Sequence, residues 1–366
     1  MPQFHSIPEN DEWWGKGFTE WTNVKKSVPL YNGHNQPRIP LDNNYYDLSD
    51  WHVLKQQALL AKKYGIYVFC FYHYWFGEKM LLQKPMENLL AHPEIDINYC
   101  ISWANESWTN AWVSNNKKVL IQQTYGDENE WKKHFEYLYQ FFSDSRYIKE
   151  DGCPFIVIYR PENIECLSDM ISCWRKLAIQ SGFNGLRIAY QHVSYHVSKN
   201  EKSLFDYGIE YQPVYAMRDI QTRKERILAM AKERISYYLQ KKYGRAPEVK
   251  RNQVIQIDYK KVWDAVINRH GTGEVAMIPG AFVDWDNTPR RGMKGTAFIG
   301  SSPQAFGYYF NKQIQNAKQN YHTDKLFIFA WNERAEGGYL EPDEKYKYSY
   351  LEAIKNALDN CGELET

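Results

Sequence analysis

The stretch KLFIFAWNE, residues 325–333, joins a short apolar run to a cluster of aromatic and polar residues. Near-continuous apolar runs of this kind are typical of parallel strands that are covered on both faces. The same combination occurs six times earlier in the chain: GIYVFCFYHYW from Gly65, INYCISWANESW from Ile97, PFIVIYRPE from Pro154, LRIAYQH from Leu186, YGIEYQP from Tyr207 and VAMIPGAFVDWDN from Val275. The sequence therefore predicts seven similar strands.

Helix-like segments separate these runs, for example from Leu48 to Tyr64 and from Asn129 to Phe142. Ser49 or Asp50 suits the N-cap of the first segment, and Gly65 suits its end. The repeated order of strand and helix predicts an α/β fold, a (β/α)8 TIM barrel with long loops. The opening PQFH supplies the remaining strand, and we expect the chain to start inside that strand.

Residues 1–366 are expected to form one catalytic barrel domain. The length alone also fits two ordinary domains, but the sequence has no internal repeat, low-complexity tract or Pro/Gly-rich linker. A charged helical insertion is predicted at about residues 218–251, where the runs RKER, AKER and QKKYGR occur. Acidic residues are interleaved there without an aromatic platform, so solvated helix faces are favoured over a nucleic-acid patch.

Charge and composition limit the function classes. Lys and Arg total 45 against 44 for Asp and Glu, so we expect no nucleic-acid partner and no attraction to an anionic membrane. The opening MPQFHSIPEN lacks a signal-like run, and no apolar stretch approaches a membrane span, so we expect a cytoplasmic protein. The 6 Cys show no CxxC spacing and are expected to be reduced structural thiols.

The aromatic content points to a carbohydrate ligand. With 13 Trp and 29 Tyr, the chain has many flat apolar faces that carry a polar group. The C–H face of a pyranose ring packs on such a surface while its hydroxyls bond to a few placed polar groups. Half-buried surface is the alternative interpretation for any single Tyr.

The carboxyl ends of barrel strands form the active site, so the residues that follow each apolar run are candidates. Helix capping or a core hydrogen bond explains any one such cluster equally well, but six clusters on one rim favour a binding site. The first cluster begins at Tyr72. The predicted sugar contacts are His73, Tyr74, Trp75, Trp103, Asn105, Glu106, Trp108, Tyr159, Arg160, Gln191, His192, Asp284, Trp285, Asp286, Asn287, Trp331 and Asn332.

Glu333 and Glu336 are the candidate catalytic residues. Three residues apart in a turn, their Cβ atoms are expected within roughly 5–6 Å. Retaining glycosidases use two carboxyl groups about this close, and like charges so near each other titrate separately, leaving one acid and one base. In the alternative interpretation, one Glu caps the next helix and the other pairs with Arg334.

Five segments together resemble the WbsX family, which is named for a polysaccharide-biosynthesis glycosyltransferase and is related to the endo-α-mannosidase group of glycoside hydrolases. The segments cover nearly the whole chain in order: QFHSIPENDEWWGKGFTEWTNVKKSVPLYNGHNQPRIP from Gln3, FCFYHYW from Phe69, WANESWT from Trp103, DWDNTPRR from Asp284 and FAWNERAEGGYLEPD from Phe329.

The resemblance implies a retaining (β/α)8 enzyme acting on an α-linked sugar of a surface polysaccharide. In the related hydrolases, one carboxylate deprotonates the 2-hydroxyl of the sugar to give a 1,2-anhydro intermediate, and a second carboxyl is the acid and base. By resemblance, Glu333 engages the 2-hydroxyl and Glu336 is the acid/base. Relatives usually have Trp where this chain has Arg334, whereas Glu341 and Pro342 complete the segment as expected. Glu341 is therefore a further predicted sugar contact.

The resemblance also assigns part of the amino-terminal block to the sugar-binding rim, with core packing as the alternative for Trp13 and Trp14. These rim residues are His5, Glu9, Trp13, Trp14, Glu20 and Trp21. Arg290, Arg291 and Lys294 lie where barrels often bind phosphate, which suggests a phosphorylated or acidic sugar; an exposed basic loop is the alternative.

Two other functions stay open. Asp284-Trp285-Asp286 spells the DxD pattern of sugar-nucleotide enzymes, which supports a glycosyltransferase of O-antigen or capsular polysaccharide biosynthesis. A non-catalytic sugar-binding barrel would fit the aromatic rim alone. His73, His192 and Glu106 lack metal-site spacing, so we expect neither a metal nor a cofactor. The expected partner is an oligo- or polysaccharide, and the biosynthetic context suggests association with polysaccharide-assembly proteins.

Overall fold

A parallel sheet lies at the centre of the computed structural model, which describes residues 4–77, 79–109, 119–192, 202–228, 231, 235, 252–271 and 275–364. Its strands pair in parallel in chain order. They are β1 (Val68–Trp75), β3 (Asn98–Trp103), β7 (Cys153–Ile158), β8 (Arg187–His192), β9 (Tyr207–Glu210) and β11 (Ala276–Ile278). These six strands coincide with six of the predicted runs.

The run from Val275 is interrupted at Pro279, after β11, and the strand beyond this break pairs with the strand of the run from Lys325. Beyond Pro279, β12 (Gly280–Phe282) pairs in parallel with β14 (Phe327–Phe329). A Cβ at Gly280 would lie 1.9 Å from the carbonyl oxygen of Glu210, so only glycine allows this close approach of two backbones. The predicted α/β fold is confirmed. Of the predicted PQFH strand, Phe4 and His5 lie outside any strand, and residues 1–3 are not among the described ones.

Short strands add to this sheet or form separate two-stranded sheets. β2 (Met80–Leu81) and β6 (Lys149–Glu150) pair antiparallel with β1 and β7, respectively. The other small pairings join β4 (Trp108–Thr109) to β5 (Val119–Ile121), β10 (Ile255–Asp258) to β13 (Thr296–Ile299), and β15 (Asn332–Glu333) to β16 (Gly338–Tyr339).

Helices follow the strands, as the alternation predicts. They are α1 (Pro8–Trp14), α2 (Glu20–Lys26), α3 (Trp51–Lys63), α4 (Lys84–Ala91), α5 (Glu128–Phe142), α6 (Leu167–Gln180), α7 (Val214–Asp219), α8 (Tyr259–Ile267), α9 (Thr288–Arg291), α10 (Pro303–Asn316) and α11 (Ser349–Asn360). Asp50 caps α3 by accepting from the backbone N–H of His52 at 2.9 Å, and Gly65 follows with φ +81°. No helix of the described ranges is both long and apolar enough to cross a bilayer.

The predicted insertion at 218–251 is described only in part. Residues 223–228 are helical and exposed, and Ile227 and Leu228 each expose more than half of their surface. Most of the segment from 229 to 251 lies outside the described residues.

Strand alternation separates the inner side chains of the sheet from the outer ones. Tyr72 pairs in register with Ser102, and Ser102 with Val157, so these side chains share one face. The next residues, His73 and Trp103, pair with each other on the opposite face.

The outer face carries a buried histidine pair. The two Nε2 atoms of His73 and His134 lie 3.0 Å apart, and the ring of Trp75 stacks on His134 at 4.5 Å. Burial lowers the pKa of His73 to about 3 and holds the pKa of His134 well below its usual range. Both rings are therefore neutral in the folded protein at ordinary pH.

This pair predicts a loss of stability in mild acid. The unfolded chain takes up a proton at each histidine below pH 6.5 while the folded chain does not, so the free energy of unfolding falls as pH decreases. We expect His73 to contribute about 2 kcal/mol to the loss between pH 7.5 and pH 5, measured by urea denaturation. His73→Asn should reduce this dependence. An identical slope in His73→Asn would contradict the assignment.

Candidate active site

Three short helical turns meet beside the carboxyl end of the sheet: α2, α9 and the 3-10 turn Arg334–Glu336. The turn follows directly on β15, whose last residue is Glu333. Gly337 ends the turn with φ +72°, and a Cβ there would lie 2.7 Å from the backbone nitrogen of Asp286. That nitrogen donates to the carbonyl of Glu336 at 2.7 Å, so the loop after β12 is fixed against the turn.

A single guanidinium connects these elements. Nη2 of Arg290 lies 3.2 Å from Oε2 of Glu333, and Nη1 lies 2.6 Å from Oε1 of Glu336. Its Nε lies 3.1 Å from Oε2 of Glu20, the first residue of α2. The two predicted catalytic carboxyl groups are thus held together by their contacts with Arg290. Arg290 is therefore a counter-ion of the carboxyl groups, which argues against its use for a phosphorylated sugar.

Burial changes the acidity of this cluster. It raises the pKa of Glu336 to about 7; Arg290 opposes the rise, and the charges of Glu333 and Glu20 add to it. The pKa of Glu20 is also raised, again mainly by burial, with Arg290 opposing. A carboxyl group whose pKa is near neutral can both donate and accept a proton at working pH, as general acid/base catalysis requires.

Aromatic residues of the inner face lie close to the carboxyl groups. The Tyr159 ring lies 6.1 Å from that of Tyr72 and 6.2 Å from that of Tyr211, and Tyr211 packs on Phe329 at 5.4 Å. Burial is the main cause that raises the pKa of Tyr72 and Tyr211 well above its usual range, and the charge of Glu333 contributes in both. These phenols stay protonated and can donate hydrogen bonds.

Several buried side-chain polar atoms have no hydrogen-bond partner in the described parts of the chain, among them four that belong to predicted sugar contacts or to the strands of the sheet. These four are Nε2 of His5, Oγ of Ser102, Nε2 of Gln191 and Nε1 of Trp331. The strand register puts Ser102 and Gln191 on the inner face, the face of Tyr72. Buried polar groups normally bond to something, so these atoms are candidates for contacts with ligand hydroxyls or water.

Three predicted sugar contacts lie on the opposite face. His73 contacts His134, Trp75 stacks on the same ring, and Trp103 packs against Trp174 of α6 at 5.8 Å. Alternation turns these odd-numbered side chains of β1, and their partner in β3, toward the surrounding helices. The structure therefore separates them from Glu333 and Glu336, and their strand-end position alone did not reveal this.

The DxD segment is engaged with the amino-terminal block. Oδ2 of Asp284 lies 2.9 Å from Nη2 of Arg38, and Oδ2 of Asp286 bonds to His34 at 2.9 Å and Gln36 at 2.8 Å. Although burial opposes it, the bond from His34 and the charge of Arg38 hold the pKa of Asp286 below its usual range. These carboxylates tie two segments of the chain together. Among the described residues, no group of three or more His, Cys, Asp and Glu could hold a metal ion.

Arg334 pairs with a carboxylate other than those of the predicted catalytic pair. Its Nε lies 3.0 Å from Oε2 of the buried Glu341, and its Nη2 donates to the carbonyl of Pro342 at 2.9 Å. Its guanidinium also lies 4.4 Å from the Tyr339 ring centre. The alternative in which Glu333 or Glu336 pairs with Arg334 is therefore wrong. Glu341, a predicted sugar contact, is buried and pairs with Arg334 instead.

The amino-terminal residues lie at several places around the rim. Glu9 pairs with Lys79 at 2.7 Å, Trp13 packs on the cluster of Tyr74 and Trp108, and Trp14 contacts Phe18 at 5.8 Å. The remaining predicted residue, Trp21, is buried and donates to the carbonyl of Tyr46 at 2.9 Å. Trp21 is thus a core residue, whereas its neighbour Glu20 contacts Arg290 beside the predicted catalytic pair.

The other strand-end residues hold their own loops in place. Oδ1 of Asn105 accepts from the backbone of Arg160, whose Nε lies 3.1 Å from Glu106. Three further residues are engaged locally or exposed: Asn332 donates to Tyr46 at 3.1 Å, Asn287 accepts from the backbone of Thr296, and Arg291 is exposed. Trp285 packs on Phe329 at 5.7 Å. The side chain of His192 lies outside the described part of the structure.

Sequence reasoning missed two residues of the inner face, Tyr211 and Ser102. Tyr211 follows the apolar run YGIE as the other clusters follow theirs, and this position was the available signal. Ser102 lies within an apolar run, where only its register with Tyr72 indicates the inner face.

The fold is similar to those of two solved structures. An endo-α-mannosidase of glycoside hydrolase family GH99 from Bacteroides thetaiotaomicron superposes with a TM-score of 0.54 at 12% identity, covering 98% of this chain and 94% of that one. A glycoside hydrolase-like protein superposes with a TM-score of 0.57 at 13% identity, covering 93% and 99%.

The chain belongs to the family described as Glycosyltransferase WbsX, which matches residues 1–354. A curated relative, the uncharacterised protein WxcX of Xanthomonas campestris pv. campestris, is 31% identical over 368 residues. That alignment covers 100% of this chain and 50% of the relative, so the chain spans about half the length of the curated protein it matches.

The Arg334–Glu341 pair gives a stability prediction. Arg334→Met leaves a buried carboxylate unpaired, which should lower the free energy of unfolding by about 3 kcal/mol in urea denaturation. The double variant Arg334→Met/Glu341→Gln removes the orphaned charge and should recover part of the loss. A double variant no more stable than the single one would contradict this account.

Proposed function

We propose that this chain is a retaining carbohydrate-active enzyme that cleaves or transfers an α-linked sugar of a surface polysaccharide. The observation that carries the proposal is the pair Glu333 and Glu336, held on one guanidinium, with burial raising the pKa of Glu336 to about 7. The two carboxyl groups have distinct environments, as an acid and a base working at the same pH require.

In the proposed first step, the Glu333 carboxylate takes the proton of the 2-hydroxyl while that oxygen attacks the anomeric carbon. The glycosidic bond breaks, and the Glu336 carboxylic acid gives its proton to the departing oxygen. The sugar becomes a 1,2-anhydro intermediate, and Glu336 is left ionised.

In the second step, Glu336 takes a proton from the acceptor hydroxyl as that oxygen attacks the anomeric carbon. The three-membered ring opens, and Glu333 returns its proton to the 2-oxygen. The anomeric carbon is inverted twice, so the configuration is retained. Water as acceptor gives hydrolysis, and the hydroxyl of a second sugar gives transfer.

The family's description keeps a second candidate function, transfer from a sugar nucleotide. The described residues favour a neutral glycoside instead, because three carboxyl groups surround one guanidinium at the site and would repel a diphosphate. In addition, Asp284 and Asp286 are engaged with Arg38 and His34, whereas a metal–nucleotide site needs free carboxylates.

The biological substrate is proposed to be a bacterial-type surface polysaccharide such as an O-antigen, and the family's description as a glycosyltransferase supports a role in polysaccharide synthesis. Proteins of polysaccharide assembly are the proposed partners. If the chain is instead a non-catalytic sugar-binding barrel, it should bind glycans without turning them over. Measuring the turnover of the wild type and of Glu336→Gln distinguishes the two possibilities.

Glu336→Gln removes the proton that the departing oxygen needs. We expect turnover of α-linked manno-oligosaccharides to fall about 10²- to 10⁴-fold, measured by the release of reducing ends. NMR of the first product should show retained anomeric configuration, and substrates lacking the 2-hydroxyl should not react.

The matched control is Glu344→Gln, an exposed residue a few positions further along the same segment. It should keep full activity. Equal turnover in Glu336→Gln and wild type would rule out this pair, whereas metal-dependent release of nucleoside diphosphate from sugar nucleotides would favour the transferase.

The acidity of Glu336 predicts the alkaline side of the pH–rate profile. The first step needs Glu336 protonated, and burial raises its pKa to about 7, so kcat/KM should fall as pH rises through about 7. An aryl glycoside with a good leaving group needs less proton donation and should show a weaker decline. A profile flat from pH 6 to pH 9 for both substrate types would contradict the role of Glu336.

A further inference from the structure

Glu20 has no part in the two proton transfers, yet it lies next to them. Its side chain is 4% exposed and contacts the Nε of Arg290 at 3.1 Å, on the edge of the guanidinium away from Nη1. A carboxyl group buried this deeply loses much hydration energy, which only a specific partner offsets. The sequence places it at the first turn of α2, far from the barrel strands along the chain.

The three contacts use three different nitrogens of Arg290: Nε for Glu20, Nη2 for Glu333 and Nη1 for Glu336. The planar guanidinium offers these donors in fixed directions, which a lysine ammonium on a flexible chain cannot reproduce. The orientation in which Arg290 contacts any one carboxyl group is therefore fixed by its contacts with the other two.

We propose that Glu20 is a positioning residue, which fixes the Arg290 guanidinium and through it sets the proton affinity of Glu336. Two effects act in the same direction. The negative charge of Glu20 disfavours a second negative charge on Glu336, and its bond to Arg290 draws positive charge away from Glu336. Without the Glu20 charge, Glu336 should become the stronger acid.

The groups that face Glu336 from each neighbouring element are few in the described chain. Arg290 comes from α9, Glu20 from α2, Glu333 from β15, and Tyr211 from the end of β9. Tyr211 stays neutral at working pH because burial raises its pKa well above its usual range. Glu20 is therefore the one carboxylate of this set that can alter the acidity of Glu336 without taking part in the reaction.

The catalytic value of this role rests on the proposed function, in which Glu336 is the acid/base. The effect of Glu20 on the acidity of Glu336 does not, and it can be tested without a substrate. Infrared difference spectroscopy follows the carboxyl stretch during a pH titration, and Glu336→Gln identifies the band of Glu336. In Glu20→Gln, which keeps the shape and loses the charge, the midpoint should fall by roughly one pH unit. Glu20→Asp keeps the charge and should stay near the wild-type midpoint.

If near-ultraviolet circular dichroism shows that Glu20→Gln does not fold, Arg290→Lys tests the same connection between Glu20 and Glu336 by changing the cation that joins them. An ammonium cannot serve three carboxyl groups, so the midpoint of Glu336 should rise. An unchanged midpoint in folded Glu20→Gln, or a lower one in Arg290→Lys, would overturn the proposal. If the midpoints move as expected but no glycan is turned over, the role of Glu20 stands and the proposed function fails.

Discussion

The buried guanidinium of Arg290 is the interaction on which the site depends. It brings together a helix from the first part of the chain, the loop after β12 and the turn after β15. Three carboxyl groups at such short separation repel one another strongly in a weakly polar interior. Their arrangement is stable only because one cation contacts all of them and because protonation removes part of the negative charge.

This arrangement has a cost in stability. The pKa of Glu336 is about 7 in the folded protein and near 4.5 in the unfolded chain, so the folded state binds more protons between these values. The free energy of unfolding therefore decreases as pH rises through that range. A buried carboxyl group that lowers stability in this way is typical of functional sites, where the needs of activity and of stability conflict.

The sequence predicted the fold well because the fold rests on local patterns. Apolar runs ended by polar clusters mark the strands, and all seven runs contain a described strand. Asp50 and Gly65 act as the cap and stop that their residue types predict. The break at Pro279 and Gly280 was not predictable, because it depends on the approach of the Glu210 backbone from another strand.

The candidate site was predicted less completely. Glu333 and Glu336 come together because they are three positions apart in one turn, and this is a local property. The roles of Glu20 and Arg290 depend on each other across 270 residues, whereas Arg334 meets Glu341, 7 residues further along. In both cases no motif encodes which carboxylate a given arginine meets. His73 and Trp103 face the helices because of strand alternation, whose phase is fixed only when the inner face is known.

The amino-terminal block closes the rim through contacts of very long range. His34 and Gln36 bond to Asp286, 252 and 250 residues further along, and Glu20 meets Arg290 across 270 residues. During synthesis these groups leave the ribosome roughly 12 to 50 seconds before their partners do, at common elongation rates. These contacts therefore form late in synthesis, and until then the polar groups of the early segment lack the partners that hold them in the folded protein.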